Sequence, residues 1–469
     1  MKIIIIGAGR VGTGVAEYLV NENNDVTVID TDNTRLMSIQ NRFDLKVVIG
    51  YGSYPATLRE ANAANADLLV AVTDSDETNM LACQLGSCLF HIPQKIARIQ
   101  NHEYLAEKNL IFGNHAIAVD NIIAPEQLVT MQIANLIEYP GTIQITEFAG
   151  KKIALVGIRV YYGGILVGQP ISRLHENLDN TISAKIIAIY RQGRAIATGN
   201  STVIEAGDEV FFISAKGYIR TVMAQFQKLE APFRRIMIIG GGDIGCRLAH
   251  ELSQHYSVKL VEINPEHTES ISQEFDNTNV EVFCCDPSSQ EFLTEEHVNK
   301  MDLVVSVTGS DENNIMAAML AKRLGARRSI VLISKMAYIS LIQDSSLDII
   351  ISPQETTISA LLTNIRHNGV ETVYTLRRGE AESMSIKLTG DVHHSDVIGR
   401  PIREIPFPSG VIVCAAIRGD EIFMASGDFI LEAGDEVVFY VLDKRSVSPL
   451  IKLTTPKVSF FTKLHHTDD

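Results

Sequence analysis

The chain has 469 residues, 46% of them hydrophobic, which is more than one core needs, so about two to four domains are expected. Its formal charge of −15 argues against nucleic acid or anionic lipid as a direct partner, because those surfaces select clustered Lys and Arg. The apolar runs are strand-sized, too short for a membrane-spanning helix or a signal peptide. We expect an unexported chain that does not cross a bilayer.

The first stretch alternates short β-branched strands with helical segments, which is typical of a doubly wound parallel sheet. A helix is predicted after Gly12, because Val11, Val15 and Leu19 recur at helical spacing. The predicted strands are Lys2–Ile6, Asp25–Asp30, Lys46–Ile49, Leu68–Val72 and Lys95–Ile99.

A glycine loop, Gly7 to Gly12, lies between the first strand and this helix. Such a loop aims backbone N–H groups and a positive helix end at one point, where a pyrophosphate can bind. Asp30 closes the next strand, where a carboxylate can accept hydrogen bonds from ribose hydroxyls and disfavours a 2′-phosphate. This pattern favours NAD(H) or an adenine nucleotide over NADP(H). The alternative is that the glycines only permit close packing and the acid is a surface residue.

A connecting segment, Ile117 to Pro140, follows, and Pro125 and Glu126 suit the first turn of a helix within it. Beyond it, predicted strands are separated by turns that contain Gly, Asn and Asp, which indicates a small α+β domain. These strands are Val156–Tyr161, Ile186–Tyr190 and Glu209–Ile213.

The second half of the chain repeats the first. Three ordered matches, about half the chain length apart, indicate a duplication. They pair Gly7–Gly12 with Gly240–Gly245, Val72–Asn79 with Val307–Asn314, and Glu205–Val210 with Glu432–Val437. Pro353 repeats the connecting helix, and Glu262 stands where the first half has Asp30. The predicted fold class is α/β: two tandem Rossmann-like doubly wound parallel-sheet domains, each followed by a small α+β domain.

Nearly end to end, the chain resembles the TrkA family of bacterial Trk-system potassium uptake proteins, which are tandem regulator-of-potassium-conductance (RCK) modules. The resemblance rests on Ile4–Gly9, Val70–Met80, Ile122–Val129, Ile137–Gly141, Met316–Arg323 and Ile351–Gln354. It implies nucleotide-binding N-domains at 1–123 and 232–351. It also implies a connecting helix and C-domain at 124–228 and again at 352–453.

The resemblance also implies the nucleotide contacts. In the first half they are Gly7, Ala8, Gly9, Arg10 and Val11 for the phosphates, Asp30 for the ribose, then Thr73, Asp74 and Arg98. In the second half they are Gly240, Gly241, Gly242, Asp243, Ile244, Glu262, Asp286 and Thr308. Arg98 could instead be a surface strand residue, and Thr73 and Asp74 could be only a turn and helix cap.

The two predicted pockets are not equivalent. Alignment of the halves places Leu332 opposite Arg98, Asp286 opposite Tyr51 and Gly309 opposite Asp74. Lys335 is the one nearby residue that could replace the missing cation. A charge-assisted hydrogen bond of about 1.5–3 kcal/mol corresponds to roughly 10- to 100-fold in affinity, so the first pocket is expected to bind a phosphate-rich ligand more tightly.

Two pockets and two small domains per chain favour a regulator over an enzyme, because ligand occupancy can change the geometry between modules. Four histidines are candidates for a proton donor, but none has a partner acid or a substrate-binding Arg in its motif: His91, His102, His115 and His175. His393 and His394 could suggest a metal, yet the nearby Asp391 and Asp396 are on what reads as a polar loop, so no catalytic or metal residue is predicted. The resemblance implies a cytoplasmic regulatory subunit that binds NAD(H), and also ATP or ADP, and gates potassium transport. It implies a homotetramer on the inner membrane, attached only through a membrane-embedded TrkH or TrkG type subunit. An NAD-dependent oxidoreductase, or a gating subunit of another potassium channel or antiporter, is the alternative.

Overall fold

The computed structural model describes residues 1–112, 116–179, 182–342, 346–366 and 369–457. The first domain is built on a parallel sheet in the order β3-β2-β1-β4-β5-β6. Its strands are β1 Lys2–Ile6, β2 Asp25–Asp30, β3 Lys46–Ile49, β4 Leu68–Ala71, β5 Gln94–Arg98 and β6 Asn121–Ile123. Its helices are α1 Arg10–Asn21, α2 Asn33–Gln40, α3 Pro55–Glu60, α4 Asp76–Cys88, α5 His102–Ala106 and α6 Lys108–Ile111.

The order of the strands places the functional edge of this sheet. β1 pairs with both β2 and β4, so the chain reverses direction across the sheet between β1 and β4. Open α/β sheets bind ligands at the carboxyl ends of the strands, at such a switch point. The glycine loop leaves the carboxyl end of β1, which is this point.

A connecting helix, α7 Pro125–Glu138, leads to a five-stranded sheet in the order β10-β9-β11-β8-β7. Its elements are β7 Thr142–Phe148, β8 Ile153–Arg159, α8 Arg173–Asn177, β9 Ala184–Arg191, β10 Arg194–Ile196, β11 Glu209–Ala215 and α9 Ile219–Phe226. The predicted α+β domain is confirmed, but its strands are longer than predicted and β7 and β10 were missed. The turns around β10 are short of apolar residues, so periodicity gave no signal there.

The second half repeats this architecture, with parallel order β14-β13-β12-β15-β16-β17 and then β18-β19-β22-β20-β21. Its parallel sheet domain contains β12 Arg235–Ile239, α10 Asp243–Leu252, β13 Ser257–Glu262, α11 Pro265–Glu274, β14 Val280–Cys284, α12 Gln290–Glu295, β15 Leu303–Ser306, α13 Asp311–Arg323, β16 Arg328–Leu332, α14 Met336–Leu341 and β17 Ile349–Ile351. The remainder is α15 Pro353–Ile365, β18 Val370–Leu376, β19 Ala381–Lys387, β20 Val411–Arg418, β21 Glu421–Met424, β22 Glu436–Val441 and α16 Val447–Thr454. The predicted fold class is therefore confirmed in both halves. None of the helices in the described ranges is both long and apolar enough to cross a membrane.

The third repeated motif has a structural explanation. Asp208 is 1% exposed, and its carboxylate accepts hydrogen bonds from the Arg191 guanidinium and from the Glu205 N–H. In the second half, Asp435 is fully buried and accepts the same hydrogen bonds from the Arg418 guanidinium and from the Glu432 N–H. The carboxylate thus fixes the turn before the last strand of each small domain.

The chain divides into two compact units that exchange the small domains between halves. One unit contains Met1–Pro125, Phe148–Lys152 and Gln354–Asp469. The other contains Glu126–Glu147 and Ile153–Pro353. Each unit therefore combines the parallel sheet of one half with the small domain of the other. The predicted sequential domain boundaries stay a prediction.

Candidate nucleotide-binding sites

The outer glycines of each loop are required by the fold itself. Gly7 has a φ of +107° and Gly240 a φ of +109°, a conformation that residues with a side chain rarely adopt. A Cβ on Gly12 would lie 1.9 Å from the Gly7 carbonyl oxygen, and one on Gly245 would lie 1.8 Å from that of Gly240. The first glycine makes the turn, and the third lets the helix start against it.

The middle glycines have no such internal reason. Gly9 has φ −70° and ψ −172°, and Gly242 has φ −71° and ψ −174°, which any residue can adopt. A Cβ at either position would meet no atom within 4 Å. Each is the N-cap of its helix and offers no side chain to cap the first N–H groups of α1 and α10. Both loops leave room in front of a helix N-terminus, the geometry in which anions bind.

The loop acids hold the glycine loops in place. Asp30 accepts hydrogen bonds from the Ala8 N–H at 2.6 Å and the Asp32 N–H at 2.8 Å. Glu262 accepts one from the Gly241 N–H at 2.8 Å and two more from the N–H groups of the turn after β13. Both oxygens of Asp30, and Oε2 of Glu262, keep a further lone pair for a ligand. Binding of a ribose by these acids stays a prediction, but each acid lies directly against its loop.

The turn after β4 lies beside the first glycine loop. A Cβ on Gly7 would lie 3.2 Å from the Thr73 amide nitrogen, and one on Gly240 would lie 2.9 Å from that of Thr308. Thr73 donates its hydroxyl proton to the Asn79 amide oxygen at 2.7 Å, as Thr308 does to Asn314. The predicted threonines thus reach the loops, with their hydroxyls engaged inside the turns.

Two buried residues that we did not single out from the sequence organise this edge. Asn79 is fully buried and donates to the carbonyl oxygens of Thr73 and Arg98, so it ties the end of β4 to the end of β5. Asp76 is 8% exposed and accepts from the N–H groups of Gln100 and Asn101. Asn314 and Asp311 make the same contacts in the second half. The signal was their identical spacing in the repeated motif.

The remaining predicted residues of the first site lie at the same edge. Arg10 and Val11 open α1, with Arg10 exposed, and Asp74 is exposed in the turn after β4. Arg98 ends β5, and its guanidinium faces the side-chain amide of Gln100.

In the second site, Asp243 and Ile244 open α10, with Asp243 exposed. Asp286 follows β14, where its Oδ1 accepts hydrogen bonds from the Ser288 N–H and hydroxyl. These bonds lower the pKa of the Asp286 carboxyl below its usual range, so it is ionised at neutral pH.

The alignment of Arg98 with Leu332 is confirmed. Asn79 donates to the Arg98 carbonyl oxygen, and Asn314 donates to that of Leu332, so these two positions correspond. Lys335 Nζ lies 2.8 Å from a Glu312 carboxylate oxygen, and replacement of the missing cation by Lys335 stays a prediction. That hydrogen bond raises the pKa of Lys335, so its charge is already paired.

Histidines and possible metal ligands bear on the alternative of an enzyme. Among the described residues, no group of three or more His, Cys, Asp or Glu is placed to hold a metal ion. His91 is exposed on the loop after α4, and His102 is exposed at the start of α5. His115 lies outside the described residues.

Comparisons with known proteins agree with this architecture. The family model described as the TrkA-N domain matches residues 3–125 and 236–353, and that described as the TrkA-C domain matches residues 155–227 and 392–445. The chain is 48% identical to the Trk system potassium uptake protein TrkA of Vibrio alginolyticus, over 98% of this chain and 100% of that protein. It is 45% identical to the protein of the same name from Haemophilus influenzae, over the same shares.

Solved structures show a similar fold at low sequence identity. The crystal structure of the GsuK RCK domain has a TM-score of 0.59 at 15% identity, and the alignment covers 96% of this chain and 95% of that chain. The GsuK channel bound to NAD also gives 0.59 at 15% identity, with coverage of 96% and 79%. At this identity the likeness shows the fold alone. The family models and the full-length relatives establish that the chain belongs to the TrkA family of Trk system potassium uptake proteins.

Proposed function

We propose that the chain is the nucleotide-binding regulatory subunit of a Trk-type potassium uptake transporter, and that it gates transport in response to NAD(H), or ATP and ADP. The observation that carries this proposal is the pair of middle glycines, Gly9 and Gly242. Neither backbone conformation nor packing requires glycine there, yet both halves keep one in front of a helix N-terminus. Close approach of a phosphate group is the physical reason that remains.

The residues at the sheet edge support binding rather than catalysis. The acids and threonines already make hydrogen bonds inside the loops, which preorganises a pocket for a ligand. A ligand that binds one conformation of the chain more tightly shifts the equilibrium toward that conformation. A coupling free energy of about 1–3 kcal/mol is enough to regulate a partner in this way.

The partner and the location belong to the same proposal. We place the chain on the cytoplasmic face of the inner membrane, as a homotetramer attached to a TrkH or TrkG type subunit. A formal charge of −15 suits contact with the Lys- and Arg-rich cytoplasmic loops of a membrane protein. The same charge opposes direct binding to an anionic bilayer.

Calorimetry on the full chain tests ligand binding, with NADH, NAD, ATP and ADP titrated into the unmodified protein, Gly9→Asp and Gly242→Asp. Aspartate is a favoured N-cap, so both variants should fold while the carboxylate occupies the phosphate position. We expect each variant to lose binding in its own pocket. The absence of binding by the unmodified chain would leave the middle glycines without an explanation and would contradict the proposal.

A transport measurement separates the proposed regulator from the alternatives. Potassium flux through a reconstituted TrkH-type subunit should change when the chain is added, and the change should depend on nucleotide. Oxidation of NADH by the chain with a small substrate would instead favour an NAD-dependent oxidoreductase. Nucleotide-dependent action only on another potassium channel or antiporter would favour the remaining alternative.

A further inference from the structure

The residue after the middle glycine has opposite charge in the two pockets. Arg10 is the first residue of α1, and Asp243 is the first residue of α10. The preceding glycines have φ and ψ within 2° of each other, so both side chains leave the backbone from the same place relative to their helix. Both are exposed, and neither has an ion-pair partner within the ranges that the structure describes. One helix N-terminus therefore presents a cation and the other an anion.

Other residues around the two pockets also differ in charge. The first pocket has Arg98 at the end of β5, where the second has the apolar Leu332. The second pocket adds Asp286, where the first has the uncharged Tyr51. Lys335 adds one cation at this edge, where the first half has Asn101, and it pairs with Glu312. The second pocket is thus the more acidic at the residue after the middle glycine, at the end of the fifth strand and after β14. Two positions differ in the opposite direction, because Asp74 is Gly309 and Asp32 is Asn264 in the second half.

This difference selects among nucleotides by the charge of their phosphates. A terminal phosphate has a second pKa of about 6 and carries a charge of about −1.5 to −2 at neutral pH. In a dinucleotide each phosphate is a ribose ester on one side and is joined to the other phosphate by an anhydride bond, so each carries a single charge. An acid at the start of a helix offsets the positive helix end that would otherwise stabilise the ligand. The penalty grows with ligand charge, so it falls mainly on nucleoside di- and triphosphates.

We propose that Arg10 and Asp243 determine the ligand class of the two pockets. The first pocket accepts nucleoside di- and triphosphates as well as dinucleotides, and the second selects dinucleotides and rejects terminal phosphates. This inference rests on the proposed function, because it requires that both pockets bind nucleotides. It assigns a role in specificity to two residues that belong to otherwise matching loops.

Charge-reversal variants of the full chain test the proposal, with one pocket blocked at a time. In a Gly9→Asp background, NAD should bind the second pocket at least about tenfold more tightly than ADP. Adding Asp243→Arg should raise ADP affinity about tenfold and change NAD affinity less, with Asp243→Asn between. In a Gly242→Asp background, Arg10→Asp should lower ADP affinity by a similar factor.

A matched control separates local charge from net charge. Asp276 is exposed between α11 and β14, at the amino-terminal edge of the same sheet, so Asp276→Arg makes the same charge change away from the pocket. It should leave both affinities unchanged. The Asp243 effect should also shrink as salt is raised, because exposed charges are screened.

Three outcomes would overturn the proposal: equal or tighter binding of ADP than NAD in the second pocket, an ADP to NAD ratio unaffected by Asp243→Arg, or no ligand in the second pocket while the first binds. All three leave the proposed function standing. Loss of nucleotide binding by the unmodified chain is a different result, because it contradicts the proposed function itself.

Discussion

At the scale of single residues, the three glycines of the first loop serve different purposes. Gly7 supplies a left-handed turn and Gly12 a contact with that turn, so the fold depends on both. Gly9 sits in ordinary backbone space with nothing near its missing Cβ. The sequence motif alone does not distinguish the roles of the three glycines. The structure separates the two glycines that the fold requires from the one that neither backbone conformation nor packing requires.

Substitution at these positions should separate stability from binding. Gly12→Ala forces a Cβ into the Gly7 carbonyl, and we expect a loss of about 1–3 kcal/mol in the free energy of unfolding. Gly9→Asn places a good N-cap on α1, and we expect stability within about 0.5 kcal/mol of the unmodified chain, with loss of binding in the first pocket. Denaturant unfolding and calorimetry measure the two effects. Equal destabilisation by both substitutions would show that Gly9 is also a packing residue.

At the scale of elements, α1 links the first pocket to the small domain in its own compact unit. Its N-terminus carries Gly9, and a Cβ on Gly14 would lie 2.4 Å from Ile358 of α15. Past its last turn, Glu22 pairs with the buried guanidinium of Arg366, which also binds the fully buried Glu382 at 2.6 Å. A shift of α1 on ligand binding would therefore reach this small domain directly.

Removing the guanidinium should be costly, because Glu22 and Glu382 would remain buried without a cation. We expect Arg366→Met to lower the free energy of unfolding at pH 7 by about 3–5 kcal/mol. Burial already raises the pKa of Glu22, and loss of the cation must raise it further. Between the ordinary carboxyl pKa and this raised value, the folded state binds more protons than the unfolded state. Stability of the variant should therefore rise as pH falls from 7 toward 5.

Denaturant unfolding of the Arg366→Met variant at several pH values checks this expectation. Arg403→Met removes an exposed arginine of the same small domain and should cost less than about 1 kcal/mol. Addition of Glu382→Gln to Arg366→Met should restore part of the loss at pH 7, because one buried charge is gone. A penalty that does not change with pH would assign the effect to packing rather than to charge.

Local features of this chain could be predicted from sequence, and distant pairings could not. The glycine loops, Asp30 and Glu262 each depend on neighbours in one strand, turn and helix, so their pattern is readable. Glu22 and Arg366 lie 344 residues apart, and no periodicity connects them. Asn79 was visible only as part of a repeated motif, because its role is to bridge two strands.

At the scale of the whole molecule, the exchange of small domains was not predictable. Both small domains have the same strand order and the same buried Asp and Arg pair, so either could pack with either parallel sheet as far as the pattern shows. Contacts that are specific to one pairing decide it. The Arg366 cluster is one such contact, since the positions that correspond to Arg366 and Glu382 in the other half are Glu138 and Ala154.

The composition of the units predicts where a ligand in the first pocket stabilises the chain. Hydrogen exchange measured in a Gly242→Asp background, with NADH at 100 times its dissociation constant, should show slower exchange in residues 1–112 and also in 369–457. Stabilisation of about 2.7 kcal/mol corresponds to roughly 100-fold slower exchange for amides that open with the whole unit. Residues 182–227 belong to the other unit and should change little. Adding Gly9→Asp should abolish the effect. Protection of 182–227 in place of 369–457 would mean that the first pocket acts on the small domain of its own half.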